Sequence, residues 1–279
     1  MNTNNNAPAA PQATTPAGNN AVITGAAAAA GAQVAKHGNR SVSSSSGSSD
    51  VLETLGVNLD VSPEQIAACV QEVGLGFMFA PAHHGAMKHA VGPRRELGLR
   101  TLFNVLGPLT NPAGVKRQVL GVYDAALCEP LAEVLARLGS EHALVIHSDD
   151  GLDEISIAAP TRGFELRAGD ISPIEIDPAA LGLAHTSLDG LQVETAANSA
   201  NLIRGALAGD DDAVSIKARA IIALNAGAGI YVSGVVDSLA SGVAAAEQAM
   251  ASGAAAQKLE AFVAFTQALV SEQGGAFAS

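Results

Sequence analysis

The sequence has few aromatic residues and few cationic ones. Tryptophan is absent, only 3% of the 279 residues are aromatic, and 15 lysines and arginines stand against 27 aspartates and glutamates. The net charge of −12 argues against general binding to nucleic acids or anionic membranes, although it leaves room for a local basic pocket. With 48% hydrophobic residues, the core must consist mainly of alanine, valine, leucine and isoleucine, which suits helices packed closely on a sheet.

Cysteine is scarce as well. Cys69 and Cys128 both lie in apolar, helix-like patterns, so two buried free thiols are the favoured interpretation and a disulfide is the alternative. Free thiols suit a reducing compartment, and we therefore expect a cytoplasmic protein. The first residues, MNTNNN, have no basic region and no apolar core follows them, so we expect no signal peptide. The uncharged residues 220–236 are barely enough for a membrane span, and a buried helix closed by Gly234 is the better interpretation.

The most informative stretch is a polar run at residues 36–50, which reads KHGNRSVSSSSGSSD. It lies between two segments that look like regular structure, and it combines hydroxyl groups, backbone N–H groups and positive charge. Such a loop is typical of an anion-binding site. The alternative is a flexible serine-rich linker. Linkers rarely cluster residues of the kind that open this run, namely Lys36, His37, Asn39 and Arg40.

The rest of the chain alternates between strand-like and helix-like segments, which predicts an α/β fold with a mixed central sheet flanked by helices. Residues 1–20 are rich in Asn, Ala, Pro and Thr, and we expect a disordered low-complexity head there, followed by one α/β domain over residues 21–279. The predicted strands are residues 76–80, 117–123, 143–146 and, as an alternating antiparallel pair, 155–176. The predicted helices are residues 26–30, 62–74, 83–112 with breaks, 124–138, 198–208, 212–232, 235–251 and 254–270.

An acidic run at residues 148–154 follows one of the apolar strands, and ligands gather at the carboxyl ends of strands in open α/β sheets. Mg²⁺ prefers one or two protein carboxylates together with substrate phosphates and water. Asp153 and Glu154 are therefore candidate metal ligands, although on spacing alone a solvated acidic turn is the simpler interpretation. We assign no role to Asp149 or Asp150.

Over roughly residues 26–265 the chain resembles the anthranilate phosphoribosyltransferase family. The polar run matches the family pattern Lys-His-Gly-Asn-Arg, then Ser-Ser, then Gly-Ser-Ala-Asp, except that Ser45 stands where many members carry lysine and Ser49 replaces the usual alanine. Further matches lie at residues 94–112 and 224–234. The resemblance implies transfer of the phosphoribosyl group from phosphoribosyl pyrophosphate to anthranilate in tryptophan biosynthesis, on the large domain of the nucleoside-phosphorylase and phosphoribosyltransferase type.

The resemblance also implies the two substrate-binding sites. Phosphoribosyl pyrophosphate would be bound by Lys36, His37, Gly38, Asn39, Arg40, Ser41, Val42, Ser43, Ser44 and Ser48. Anthranilate would be bound by Asn39, His37, His84 and Arg94. The arginine would hold the anthranilate carboxylate, for which a planar guanidinium is suited. Gly85 stands where the family normally has proline after this histidine, which loosens the turn.

The family's Gly-x-Asp-Glu sequence is its magnesium site, so the resemblance implies that Mg²⁺ binds to Asp153 and Glu154. The match at residues 224–234 is interpreted as scaffold. Gly227 and Gly229 replace alanines that the family usually has there, and each is expected to cost about 1 kcal/mol of helix propensity.

Some family elements are not visible in the sequence. The family begins with a helical subdomain that contributes to the acceptor channel and to the dimer surface, followed by a Gly-Thr-Gly-Gly-Asp loop for pyrophosphate, whereas Gly18 is the only glycine here before Gly25. We therefore expect a domain without most of that subdomain, without its dimer-forming helices, and with low catalytic activity as given. The alternatives to an active enzyme are a truncated homologue that binds ligand without turnover, and a non-catalytic relative that binds a protein or nucleic acid.

Overall fold

The computed structural model of the chain describes residues 19–38, 47–79 and 106–275. The helices are α1 (Asn19–Ala29), α2 (Ser48–Thr54), α3 (Pro63–Val73), α4 (Cys128–Arg137), α5 (Ala196–Ala208), α6 (Ala213–Ser233), α7 (Leu239–Ala251) and α8 (Ala254–Gly275). The strands are β1 (Val34–Gly38), β2 (Leu75–Phe79), β3 (Arg117–Gly121), β4 (His142–Ser148), β5 (Thr161–Arg167) and β6 (Asp170–Ile176). Short 3₁₀ helices lie at Gly107–Thr110 and Ala125–Leu127.

The mixed α/β class is confirmed, with one difference in how the strands are arranged. Within the described ranges β1 and β2 form a parallel pair, while β3, β4, β5 and β6 form a separate four-stranded sheet in that order. In the larger sheet β3 is parallel to β4, and the two strands that follow are antiparallel. The single central sheet that the strand–helix alternation predicts is therefore divided in the part of the chain that the structure describes.

Local sequence signals account for several element ends. Ser62 caps α3 by accepting a hydrogen bond from the backbone N–H of Gln65 at 3.3 Å, and the Gln65 side chain accepts from the backbone N–H of Ser62 at 2.8 Å. This is a reciprocal capping box, with Pro63 in the first helical turn, and both features are encoded by the Ser-Pro-Glu-Gln sequence at the start of the helix predicted at residues 62–74. The helix ends at Gly74, whose φ of 81° is left-handed and therefore favours glycine.

The predicted helices near the carboxyl end of the chain are confirmed as α5, α6, α7 and α8. The antiparallel pair predicted at residues 155–176 is confirmed as β5 and β6, although β5 begins only at Thr161. The predicted helix at residues 83–112 falls mostly outside the described residues. Its described end is the short 3₁₀ helix Gly107–Thr110, which stops before Asn111, the residue that precedes Pro112 and is therefore disfavoured in a helical conformation.

At its amino end the described chain begins with α1, whose first residues, Asn19 and Asn20, belong to the segment that we predicted as a disordered head. Asparagine is a favoured residue at helix starts. The remainder of that predicted head, residues 1–18, lies outside the described residues.

Helix α6 lies at the centre of the molecule, in contact with α1, α5, α7, β3 and β4. Its Ile222 and Leu224 are fully buried in the same apolar cluster as Leu144 and Ile146 of β4. By length and composition α6 is apolar enough to cross a membrane, but 67% of its most apolar window is buried inside the fold. The interpretation as a buried core helix closed by Gly234 is therefore confirmed.

The two cysteines are buried free thiols, as predicted, in α3 and at the start of α4. Burial, assisted by the nearby Glu72 carboxylate, raises the pKa of Cys69 to about 12. Burial also raises the pKa of Cys128 to about 11, with a smaller contribution from Asp124. Because the thiolate is the reactive form, both side chains act as small apolar core residues.

The glycines of α6 have different packing roles. A methyl group on Gly227 would lie 2.6 Å from backbone atoms of Val243 in α7, which is closer than real contacts allow. A methyl group on Gly242 would likewise overlap the backbone of Gly227. A methyl group added at Gly229, by contrast, would lie 3.7 Å from the side chain of Ala27, which is an ordinary van der Waals distance. Propensity alone therefore misjudges Gly227, because the backbone of α7 occupies the space that a side chain would need.

Alanine substitutions at Gly227 and Gly229 are expected to change the free energy of unfolding in opposite directions. Gly227→Ala should lower the free energy of unfolding by roughly 1–3 kcal/mol, because α7 must move away. Gly229→Ala should raise it by up to about 1 kcal/mol, because it gains helix propensity without a clash. Urea unfolding of both variants checks this prediction. Equal changes in the two variants would contradict the assigned packing.

Candidate functional site

The first part of the candidate site is the carboxyl end of β1. Lys36 and His37 are partly buried there, and the strand ends at Gly38. A methyl group on Gly38 would lie 2.8 Å from the Phe77 ring and 3.1 Å from the hydroxyl of Ser48. The end of β1 and the first residue of α2 are therefore in close contact, and only a residue without a side chain fits between them.

Much of the predicted loop cannot be placed. The site residues Asn39, Arg40, Ser41, Val42, Ser43 and Ser44 lie outside the described residues, as do the predicted acceptor residues His84 and Arg94. Lys36, His37, Gly38 and Ser48 are the members of the predicted substrate sites that the structure places, and it brings them together. Ser49, where the family usually has alanine, is fully buried, and its hydroxyl has no hydrogen-bond partner among the described residues.

The backbone of β1 is held by a side chain from another predicted motif. The Asn111 amide donates a hydrogen bond to the carbonyl of Ala35 at 3.1 Å, and its oxygen accepts from the backbone N–H of Ala113 at 2.9 Å. Ala35 directly precedes Lys36. The Gly-Pro-Leu-Thr-Asn-Pro stretch, which supplies the 3₁₀ helix, thereby fixes the strand that carries the predicted phosphate-binding lysine.

The second part of the candidate site is the segment that follows β4, residues 149–155, which we call the carboxylate loop. Asp153 is exposed there, whereas Glu154 is only 6% exposed. Burial, together with the neighbouring Asp153 carboxylate, raises the pKa of Glu154 to about 8, and the Lys36 ammonium opposes that rise. Burial lowers the pKa of Lys36, while Glu154 and Asp153 act in the opposite direction. The fold therefore brings the predicted phosphate-binding lysine close to the predicted metal ligands.

The two carboxylates without a predicted role are used to shape this loop. Asp150 accepts a hydrogen bond from the Ser156 hydroxyl at 2.5 Å and another from the backbone N–H of Leu152 at 3.3 Å. Asp149 forms an ion pair with Arg162 of β5, which also contacts Glu175 of β6 at 3.0 Å. These contacts direct both side chains to protein partners and give them a role in the shape of the loop. Asp153 and Glu154 stay the candidate metal ligands because of the family motif to which they belong.

Two residues that we did not predict as site residues contact the carboxylate loop. Asn225 of α6 exchanges two hydrogen bonds with the backbone of Ile155. Gly121 ends β3 against the backbone of Asp153, and a methyl group on Gly121 would overlap the Asp153 carbonyl group. The only sequence signal for Asn225 was that a polar residue stands inside an apolar helix. Gly121 was one glycine among many in the sequence, and only its contact with Asp153 in the fold identifies it as a site residue.

The donor set fits a weakly held Mg²⁺ ion. Among the residues that the structure describes, no group of three or more histidine, cysteine, aspartate or glutamate side chains could hold a metal. Two adjacent carboxylates supply hard oxygen ligands, which Mg²⁺ accepts together with water and ligand phosphates. A lysine on one side and this carboxylate pair on the other can therefore bind an anionic, metal-complexed ligand between them.

Comparisons with known proteins place the chain in a family. Residues 19–256 match the family described as "Glycosyl transferase family, a/b domain". The anthranilate phosphoribosyltransferases of Teredinibacter turnerae and Saccharophagus degradans are 61% and 62% identical over 239 residues, which cover 86% of this chain and 70% of each relative.

Solved structures agree with the sequence comparisons. The crystal structure of anthranilate phosphoribosyltransferase from Thermus thermophilus superposes with a TM-score of 0.83 at 40% identity, over 92% of this chain and 76% of that one. The Saccharomyces cerevisiae enzyme in complex with phosphoribosyl pyrophosphate (PRPP) and Mg superposes with a TM-score of 0.75 at 27% identity, over 88% and 69% of the two chains. Another structure of the yeast enzyme contains 4-fluoroanthranilate and has a TM-score of 0.75 at 25% identity, over 89% and 68%.

Proposed function

Because the chain belongs to the anthranilate phosphoribosyltransferase family, we propose that it transfers the phosphoribosyl group from PRPP to anthranilate in tryptophan biosynthesis. The observation that carries the proposal is that the fold brings Lys36 near enough to Asp153 and Glu154 for their charges to affect its pKa. These residues belong to separate family motifs, and a shared site for a metal-bound pyrophosphate explains why they meet. We propose that the reaction takes place in the cytoplasm, where the two free thiols are stable.

In the proposed reaction the amine nitrogen of anthranilate forms a bond to C1′ of PRPP. The bond from C1′ to the pyrophosphate oxygen breaks, pyrophosphate leaves with the electron pair, and the nitrogen releases a proton. The ribosyl carbon becomes oxocarbenium-like along the way. Such a reaction needs positioning and charge stabilisation more than a protein acid or base.

Lys36 and Ser48 are proposed to bind phosphate oxygens, together with His37, Gly38 and the loop at residues 39–44. A phosphate group beside Lys36 favours the charged ammonium, which opposes the effect of burial on that side chain. Asp153 and Glu154 would hold Mg²⁺, which would neutralise charge on the departing pyrophosphate. Because Glu154 has a pKa of about 8 in the unliganded protein, it must release a proton before it can act as a metal ligand.

Anthranilate is proposed to lie against Asn39, His37 and His84, with its carboxylate bound by Arg94. The guanidinium group can form two parallel hydrogen bonds to a carboxylate, which gives both charge and orientation. In this arrangement the amine of anthranilate is proposed to face the C1′ atom of PRPP, and the arginine is predicted to contribute to acceptor binding alone.

Arg94→Ala is expected to weaken anthranilate binding by about tenfold to a hundredfold, since a charged hydrogen-bond pair is lost. Binding of Mg²⁺·PRPP should change by less than about twofold, because the phosphates are held by other residues. Calorimetry with each ligand, together with an assay of pyrophosphate release that depends on anthranilate, tests both the residue and the function. Arg95→Ala is the matched control, since it removes the same charge one residue away.

Two results would contradict these assignments. An equal loss of affinity for anthranilate and for PRPP in Arg94→Ala would show that this arginine does not belong to the acceptor site. Failure of the unaltered chain to bind anthranilate in the presence of Mg²⁺·PRPP would overturn the proposed function itself.

A further inference from the structure

The side-chain amide of Asn225 connects the central helix to the carboxylate loop. Its oxygen accepts a hydrogen bond from the backbone N–H of Ile155 at 2.8 Å, and its nitrogen donates to the carbonyl of the same residue at 2.9 Å. The nitrogen also donates to the carbonyl of Ile221, one turn earlier in α6, at 2.9 Å. All hydrogen-bonding groups of this buried amide are therefore engaged, and two of its three bonds go to one residue of the loop.

These two bonds give the backbone of Ile155 the hydrogen-bond partners that a helix or a strand would otherwise provide. Ile155 is fully buried and lies in neither a helix nor a strand, so its backbone groups need partners that secondary structure does not provide. Asn225 pairs with both groups, much as a neighbouring strand would do. Two bonds to one residue fix the peptide planes on both sides of it, and one of those planes is shared with Glu154.

From these contacts we infer that Asn225 is a positioning residue, which sets the direction of the Glu154 and Asp153 carboxylates so that they can share Mg²⁺ with the pyrophosphate of PRPP. The inference rests on the proposed function, since it concerns the same site. Asn225 is not assigned a contact with the metal or the substrate. It acts through the backbone, in the way that outer-shell partners of metal ligands commonly act.

A purely structural role for Asn225 can be separated from this one by comparison with Tyr231 in the same helix. The Tyr231 hydroxyl donates a hydrogen bond to Glu165 of β5 at 2.6 Å and accepts one from Arg167 at 3.0 Å. Glu165 pairs with Leu144, near the start of β4, whereas the carboxylate loop follows the end of β4. Tyr231→Phe therefore removes a bond between α6 and the sheet without touching the carboxylate loop.

The test measures PRPP binding by calorimetry with and without Mg²⁺, so that the metal-dependent gain in affinity is obtained for each variant. In Asn225→Ala this gain should fall by about tenfold or more, while PRPP binding without Mg²⁺ should change by less than about twofold. Asn225→Asp keeps the oxygen that accepts from Ile155 and loses the donor, so its gain should lie between those of the alanine variant and the unaltered chain. In Tyr231→Phe the gain should equal that of the unaltered chain, whatever happens to stability.

A measurement on the unaltered chain keeps the inference testable if the Asn225 variants do not fold. The backbone N–H of Ile155 should exchange with solvent slowly in the absence of ligand, and addition of Mg²⁺·PRPP should not slow it further. Rapid exchange that becomes slow only with ligand would show that the loop is not held in advance, and would overturn the inference.

The other outcomes are equally decisive. If Asn225→Ala keeps the full Mg²⁺-dependent gain in PRPP affinity, or loses PRPP affinity equally with and without Mg²⁺, the positioning role is overturned and the proposed function stays in place. No metal-dependent gain in the unaltered chain would overturn the metal site, and with it both proposals.

Discussion

Glu154→Gln is expected to stabilise the unliganded protein above pH 8 by about 2–5 kcal/mol, and to leave its stability unchanged near pH 4. Burial and Asp153 raise the pKa of Glu154 from an ordinary value of 4.5 to about 8. Between these two values the folded protein keeps a proton that the unfolded chain has released. Stability therefore falls as the pH rises through this window, at up to 1.36 kcal/mol for each pH unit, and glutamine, which stays neutral, avoids the loss.

Urea unfolding at pH 4.5 and pH 9 without ligand measures this effect. The stability advantage of Glu154→Gln should be small at the lower pH and should reach its full value at the higher one. Asp153→Asn is the matched control, because it removes an exposed neighbouring charge and should produce only a smaller change of the same sign. Parallel stability profiles for Glu154→Gln and the unaltered chain would contradict the assignment of a buried, protonated carboxyl group.

The same substitution should act in the opposite direction on ligand binding. Glutamine cannot supply the anionic oxygen that Mg²⁺ prefers, so the metal-dependent part of PRPP affinity should be lost in Glu154→Gln. A more stable protein that binds its ligand less well is the pattern expected when a destabilising side chain is kept for function. If Glu154→Gln increases both the stability and the affinity for PRPP in the presence of Mg²⁺, Glu154 is not a ligand of the proposed metal site.

Gly121→Ala is expected to lower the rate of phosphoribosyl transfer by about a hundredfold. The added methyl group would overlap the carbonyl group of Asp153, so the carboxylate loop has to move, and a displacement of about 1 Å can cost that much in rate. Stability should also fall by roughly 1–3 kcal/mol, as in other overpacked sites.

Steady-state kinetics against Mg²⁺ concentration separates this effect from a general loss of structure. Gly121→Ala should require more Mg²⁺ for half-maximal rate, in addition to its lower maximal rate. Gly229→Ala is the matched control, because its methyl group would lie at an ordinary van der Waals distance from Ala27, and its Mg²⁺ requirement should equal that of the unaltered chain. An unchanged Mg²⁺ requirement in Gly121→Ala would show that the loop tolerates the methyl group.

Much of the fold could be predicted from local sequence signals. The capping-box pattern that begins at Ser62 and the stop at Gly74 locate α3, and the uncharged apolar run that ends at Gly234 locates α6. These signals act within a few residues of the element they define. The division of the described strands into a pair and a four-stranded sheet could not be predicted, since strand pairing depends on contacts distant in sequence. The alternation of strands and helices carries no information on which strands are neighbours.

The candidate site was predicted unevenly for the same reason. Lys36 and the pair Asp153 and Glu154 belong to motifs that the resemblance to the family points out, whereas spacing alone favours a solvated acidic turn for the pair. Asn225 and Gly121 act through the backbone of a segment distant in sequence, and nothing in their own surroundings identifies that segment. The predicted roles of Asn39, His84 and the other residues outside the described ranges remain predictions, which the Arg94 experiment begins to address.

The close contact between Gly227 and Gly242 has a consequence for how this pair of helices can change. A side chain at position 227 requires the two helices to lie farther apart, because the backbone of Val243 occupies the space beside Gly227. Alanine at this position is therefore tolerated only together with a change that moves α7 away. The two helices are therefore expected to be inherited together. A chimera that takes both helices from a relative with alanine at this position should be more stable to urea than one that takes only α6.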